Sequence, residues 1–250
     1  MSTQQKLISI KDANIRLNGQ SLMKRIFWDV HAGENWTVIG PNGSGKSLLA
    51  GLLAGRYQTP SGSVSFFEGL NLKNVSEISF NSVQESLDWE KKYDESEFTE
   101  GGVDHGTSLI DFILQDKEPE NLPLEEINHL KLTQYMETGI KYLSNGEMRK
   151  AQLLRALVQK PRLLLLDAVY EGLDQASCEA LALIIQKLVQ ETQVIQFVQD
   201  YDSIPLESTH LFVLENRQKV LSGPKAIVEK DRRFIKIFKE APAAPTQLPA

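Results

Sequence analysis

The eight residues Gly40-Pro41-Asn42-Gly43-Ser44-Gly45-Lys46-Ser47 satisfy the pattern G-x-x-x-x-G-K-[ST] in full. Their setting constrains this chain more than any other feature. Trp36-Thr37-Val38-Ile39, apolar or β-branched throughout, reads as a short buried strand before them, and Leu48–Leu53 reads as a helix after them. Glycines at 40, 43 and 45 permit backbone angles that turn successive N–H groups inward around a phosphate, and the helix N-terminus adds the positive end of its dipole. Lys46 is then placed to reach β and γ phosphates, and the Ser47 hydroxyl to ligate Mg²⁺. At average residue usage the pattern arises by accident in about one chain in a hundred of this length, and the strand-to-helix setting lowers that further.

Such a site needs a second acidic element to hold the metal through water. Leu163-Leu164-Leu165-Leu166-Asp167 supplies an apolar strand ending in an acid. Alone, a strand-end Asp is more often a cap or a turn residue; coupled to the upstream loop, Asp167 is the metal candidate. Around this strand the apolar spacing is helical. Met148, Ala151, Leu154 and Val158 recur until Pro161, and Asp174 caps a segment whose inward stripe reads Cys178, Leu181, Ile185 and Leu188. Cys178 is therefore expected as a small core residue. Further strands are expected at Val194–Val198 and Leu211–Leu214, so helices alternate with buried strands in a largely parallel α/β sheet. Ahead of the loop, Leu7–Val30 alternates imperfectly, with Asn18-Gly19 as a turn, and reads as a small antiparallel layer. Shorter helices are expected at Leu109–Leu114 and Leu124–Leu132, parted by the Pro119–Pro123 break.

Composition narrows the function classes. With 41% hydrophobic and 24% charged residues, the chain is neither wholly disordered nor a membrane protein. A formal net charge of −6 disfavours non-specific nucleic-acid binding. One cysteine excludes an internal disulfide, and Met1–Ile15 is too polar for a secretory signal core, so a cytoplasmic location is expected, peripheral to the inner membrane if a membrane partner exists. The acid-rich Asp88–Asp104 reads as a solvated loop, and the proline- and alanine-rich 241–250 as a linker or tail.

Between the loop and the acidic strand, Leu143-Ser144-Asn145-Gly146-Glu147, followed by Arg149 and Lys150, resembles the LSGGQ signature of ATP-binding cassette (ABC) proteins. Glu171-Gly172-Leu173-Asp174 resembles the D-loop of the same family. The ordered set from Gly40 to Asp174 is highly specific. The resemblance implies a RecA-like P-loop NTPase core with an antiparallel β layer and a helical lobe at about 84–158, together forming one cassette over 1–240. It further implies ATP and Mg²⁺ as cofactors, and head-to-tail pairing with a second cassette whose site Ser144 and Gly146 would complete. Gln84 is the implied Q-loop glutamine, touching Mg²⁺ and the attacking water. More narrowly, the proline-bearing tail and Gln199–Pro205 resemble the first cassette of tandem proteins associated with bacterial molybdate uptake.

Departures from the family pattern are equally informative. The residue after the metal Asp, usually a Glu that polarises water, is Ala168, and the switch position, usually His, is Gln199, which exchanges no proton near neutral pH. His210 is expected as a strand-end histidine. Counting back from Gly33-Glu34, the adenine-stacking aromatic is replaced by Leu17, with Phe27 and Trp28 as poorly placed substitutes. The expectation is an ATP-binding module whose own site hydrolyses weakly, half of a tandem-cassette protein linked to transport. A soluble regulatory ABC protein and a fully active transporter ATPase subunit are the alternatives.

Overall fold

In the computed structural model, residues 5–17, 20–92 and 106–240 are described; the expected tail at 241–250 lies outside them. Strands β1 (Lys6–Leu17) and β2 (Gln20–His31) pair antiparallel, with Leu17 opposite Gln20. Their alternation sends Ile8, Ile10, Ala13 and Ile15 from one strand, and Met23, Ile26, Trp28 and Val30 from the other, into a common core. After β3 (Trp36–Ile39) and helix α1 (Lys46–Leu53), strand β4 (Ser63–Phe66) adds to the other edge of β1, giving the order β2-β1-β4.

Next come β5 (Val75–Ile78), α2 (Phe80–Lys92), α3 (Leu109–Leu114), α4 (Leu124–His129), α5 (Asn145–Gln159), β6 (Leu163–Asp167), α6 (Gln175–Glu191), β7 (Gln193–Val198), β8 (His210–Glu215) and β9 (Gln218–Pro224). Two short helices, α7 (Lys225–Val228) and α8 (Arg232–Phe238), close the described chain. The second sheet has the order β5-β6-β7-β3-β8-β9 and is parallel except for β9. Every residue of β3 and β6 is buried, as expected of central parallel strands covered on both faces. Because β3, β6 and β7 run the same way, the loops after their C-terminal ends, carrying Gly40, Ala168 and Gln199, open on one edge of the sheet. Ligands of open α/β sheets gather at that edge.

One core joins the antiparallel layer to the sheet around α1, through Leu49, Leu53, Leu165 and Phe197. A second lies among α2 to α6 and the other face of β6, through Val83, Ile113, Met148, Leu154, Ile184 and Ile185. A third packs Phe234 of α8 against Val213.

The structure amends several sequence expectations. Asp88 and Glu90 belong to α2 and not to a loop, and Glu90 is buried, its carboxylate accepting from the backbone N–H and hydroxyl of Thr107 at 3.0 and 2.7 Å. The rest of the acidic run, 93–105, lies outside the described residues. The α6 stripe is Ser177, Leu181, Ile184, Ile185 and Leu188, with Cys178 half-buried at its shoulder and its thiol near the carbonyls of Tyr170 and Leu173. No helix among the described residues is long and apolar enough to cross a membrane.

Candidate nucleotide site

The loop between β3 and α1 is held by close approach. A side chain at Gly40 would collide with the Leu214 carbonyl and lie 2.5 Å from Ser44 Oγ. Gly45 sits at φ +102°, where a Cβ would meet the Met23 methyl at 2.5 Å. Only glycine satisfies both demands. The loop, Lys46 and Ser47 border a pocket of about 460 Å³ that also takes in Leu22, Ser79, Asp167, Ala168, Glu171 and Arg217.

Within it, Ser47 Oγ donates to Asp167 Oδ2 at 2.6 Å, joining two residues 120 positions apart. Burial raises the Asp167 carboxyl above its ordinary value, with Glu77 and Glu171 adding to the shift, and the Ser47 bond and Lys46 opposing it. A carboxylate so placed gains from a cation. Lys46 Nζ folds over its own loop and donates to the carbonyls of Gly40 at 2.7 Å and Pro41 at 3.3 Å. Burial lowers its pKa, against the pull of Asp167, Glu171 and Asp200. Ser44 Oγ is buried with no hydrogen-bond partner among the described residues. The donor set therefore fits Mg-ATP: Lys46 and the loop N–H groups for phosphate oxygens, Ser47 and Asp167 for the metal. Bound there, the metal would neutralise charge developing on the transferred phosphoryl group.

Ala168 follows Asp167 at φ +55°, in the left-handed region, and presents a methyl group to the pocket. A smaller cavity of about 240 Å³ adjoins, bordered by Ala168, Tyr170, Glu171, Gln199 and Asp200. Glu171 is the one residue besides Ala168 that borders both spaces. Its backbone is tied to α5, since Arg149 donates to the carbonyls of Glu171 at 2.6 Å and Val169 at 3.3 Å.

Ser144 is the N-cap of α5. Its Oγ accepts from Glu147 N at 3.2 Å, while the Glu147 carboxylate accepts from Ser144 N and Oγ at 2.8 Å each, a reciprocal capping box. Ser144 and Asn145 are exposed, so this helix end faces outward. Gln84, on α2, donates to Asn145 Oδ1 at 3.0 Å and is not among the described residues that border the phosphate-loop pocket. Ser79, at the junction of β5 and α2, is there instead, in reciprocal bonds with Ser82. Leu22 of β2 also borders the pocket; the side chain of Leu17, the last residue of β1, lies outside the described ones. Trp28 is buried against Trp36 and Phe212, and Phe27 borders a separate shallow pocket, so neither reaches the loop. His210 opens β8, its ring 4.8 Å from that of Trp36 and away from the phosphate loop.

Sequence reasoning missed Ser79, Leu22 and Arg217. For Ser79 the S-x-x-S spacing with Ser82 was a readable cap signal; for Arg217 the signal was the polar pair Asn216-Arg217 between two strand-like runs.

A largely parallel sheet with a glycine loop, Lys46 and the Ser47–Asp167 pair at its C-terminal edge defines a P-loop nucleotide-binding domain. The family model described as ABC transporter matches residues 23–170, and the chain belongs to that family, as an ATP-binding cassette domain. It is 29% identical over 218 residues to an uncharacterised ABC transporter ATP-binding protein of Schizosaccharomyces pombe, covering 82% of this chain and 44% of that one. It is 30% identical over 201 residues to the ABC transporter ATP-binding protein ModF of Escherichia coli, covering 79% and 40%. To the zinc import ATP-binding protein ZnuC of Rhizobium meliloti it is 27% identical over 233 residues, covering 93% and 71%. The chain thus spans less than half the length of the first two relatives. Among solved structures, the ATP-binding subunit of an ABC transporter superposes with TM-score 0.72 at 15% identity, over 91% of this chain and 94% of that one. An ATP-bound bacterial Atm1-family exporter does so with TM-score 0.72 at 16%, over 99% and 44%. At these identities the likeness shows the shared fold.

Proposed function

We propose that this chain is a cassette over 1–240, with its helical lobe at about 84–158 and a tail after it, that binds Mg-ATP and hydrolyses it slowly at its own phosphate loop. The observation that carries this reading is the split in the site. The phosphate and metal groups are assembled, with Ser47 and Asp167 at 2.6 Å, while a methyl group and an amide stand where proton-handling side chains are expected, at Ala168 and Gln199. Positioning and electrostatics from Lys46, Ser47 and the metal sustain weak turnover. The outward, capped end of α5 at Ser144 and Gly146 supports pairing with a second cassette, which would hold ATP between the two. Likeness to ModF over less than half its length supports a tandem-cassette parent. We further propose a cytoplasmic location at the inner face of a membrane, beside a transporter subunit. The groove of about 680 Å³ between β5, α2 and α5, with Trp89 exposed at its rim and Arg155 and Gln152 within it, is the surface offered to that partner.

Glu171 favours a second reading. Its carboxylate borders the phosphate pocket and acts electrostatically on both Lys46 and Asp167, so in a fully active ATPase it would be the base. Two measurements test the first reading. Mg-ATP at a hundredfold excess over Kd should stabilise the chain by about 2.7 kcal/mol, and Lys46→Ala should remove that shift. Phosphate release should stay below about 1 per second; faster release that disappears with both Lys46→Ala and Glu171→Gln establishes the second reading in its place.

A further inference from the structure

The sheet order β5-β6-β7-β3-β8-β9 divides the residues around the phosphate loop, which follows β3, between two sides. On one, Ser47, Asp167, Ala168, Glu171 and Ser79 surround the place for the metal and terminal phosphates. On the other stand Leu22 and Arg217, from hairpins of the two different sheets. With the γ-phosphate beside Ser47 and Asp167, the second side is left for the base, and no aromatic side chain borders the pocket among the described residues.

Arg217 stands in a position that arginine rarely takes. It is the second residue of the two-residue turn joining β8 to β9, between the paired Glu215 and Gln218, with Asn216 at φ +48° and Arg217 at φ +62°. This is the mirror-type hairpin turn that strongly prefers glycine at the second position, and a long side chain in the left-handed region is disfavoured. The turn is anchored to the phosphate loop. Arg217 N donates to Ser44 O at 3.1 Å, and its Cα lies 3.6 Å from where a Cβ on Gly45 would be. Its guanidinium has no hydrogen bond or ion pair among the described residues. Backbone strain, anchorage to the loop and an uncommitted planar cation coincide on the side left for the base.

We propose that the Arg217 guanidinium stacks on the purine base of the nucleotide, with Leu22 contributing an aliphatic contact beside it. This rests on the reading of the loop as an ATP site and names the residue that recognises the base. The chemistry is a planar, weakly hydrated cation against an aromatic face, a contact that lysine, a compact point charge, reproduces poorly.

The test measures Mg²⁺-dependent affinity of the full chain for two probes, ATP and inorganic tripolyphosphate, in the parent, Arg217→Gly, Arg217→Lys and Arg217→Tyr. Glycine suits the turn better than arginine, so Arg217→Gly should melt no lower than the parent and folding does not confound the result. The expected outcome is a loss of ATP affinity of about tenfold in Arg217→Gly and Arg217→Lys, retention in Arg217→Tyr, and tripolyphosphate affinity unchanged throughout. A parallel loss for both probes that lysine restores would make Arg217 a phosphate contact and overturn the proposal. Unchanged ATP affinity in Arg217→Gly would overturn it too, while leaving the loop reading intact. If the parent binds neither probe, the loop reading itself falls and takes this inference with it.

Discussion

Supplying the missing carboxylate, Ala168→Glu together with Gln199→His, should raise turnover of the ATP held by this chain by about 10² to 10⁴, the usual worth of a positioned base. The backbone tolerates the change. Ala168 already occupies φ +55°, and the penalty of the left-handed region is shared by alanine and glutamate. Space is available as well, since Ala168 borders cavities of about 460 and 240 Å³. The cost is electrostatic, because the new carboxylate joins Asp167, already raised by burial and by Glu77 and Glu171. Two charges roughly 6 Å apart interact by about 3 kcal/mol at an effective dielectric of about 20, and by less than about 1 kcal/mol in water. The variant without nucleotide should therefore lose about 1–3 kcal/mol, a fall in Tm of about 2–12 °C, and recover much of it with Mg-ATP. The assay is phosphate release under saturating Mg-ATP over a range of protein concentrations, beside melting curves with and without the ligand. If the double variant binds ATP as the parent does, yet turns over within about threefold of it, missing proton handling, with its usual factor of about 10² or more, is not what limits this site. Glu171→Gln in the same background then shows whether that neighbouring acid serves.

Ser144→Ala removes the N-cap of α5, so it should cost about 1 kcal/mol, read as a drop in Tm of about 2–4 °C, and should abolish ATP-dependent association measured by light scattering against a complementary cassette. Burial pushes the Glu147 carboxyl up, but bonds from Ser144 N and Oγ and from Tyr135, together with Lys150, outweigh this and hold its pKa below the ordinary value of 4.5. A depressed carboxylate stabilises the fold above its unfolded pKa and loses that contribution as pH falls through the folded one. Urea unfolding from about pH 6 to about pH 3 should accordingly show a smaller loss of stability in Glu147→Gln than in the parent.

The chemistry of this cassette was legible wherever it is local. The phosphate loop is one unbroken run from Gly40 to Ser47, and the β6 run ends directly in its acid. The α5 cap is equally self-contained, since Ser144 and Glu147 bond each other within a single turn. Turn chemistry and hydrophobic period act over such spans, so sequence alone determined the strand, the loop, the strand-end acid and the absence of carboxylate and imidazole at 168 and 199. Other features depend on which strands become neighbours. β5 lies far upstream of β6, and its half-buried Val75-Ser76-Glu77 carries no strong period; only its pairing with β6 brings Ser79 to the phosphate loop and leaves Gln84 on a helix beside Asn145. Glu90 looks like one more solvated acid until Thr107 meets it. Arg217 reaches the site because β8 lies against β3, so that its hairpin turn touches Ser44 from the far end of the chain. A residue's own conformation is written into its neighbours in sequence, because backbone sterics and hydrophobic period act locally. Which distant side chains share a pocket is decided by sheet order and packing, which no single segment contains.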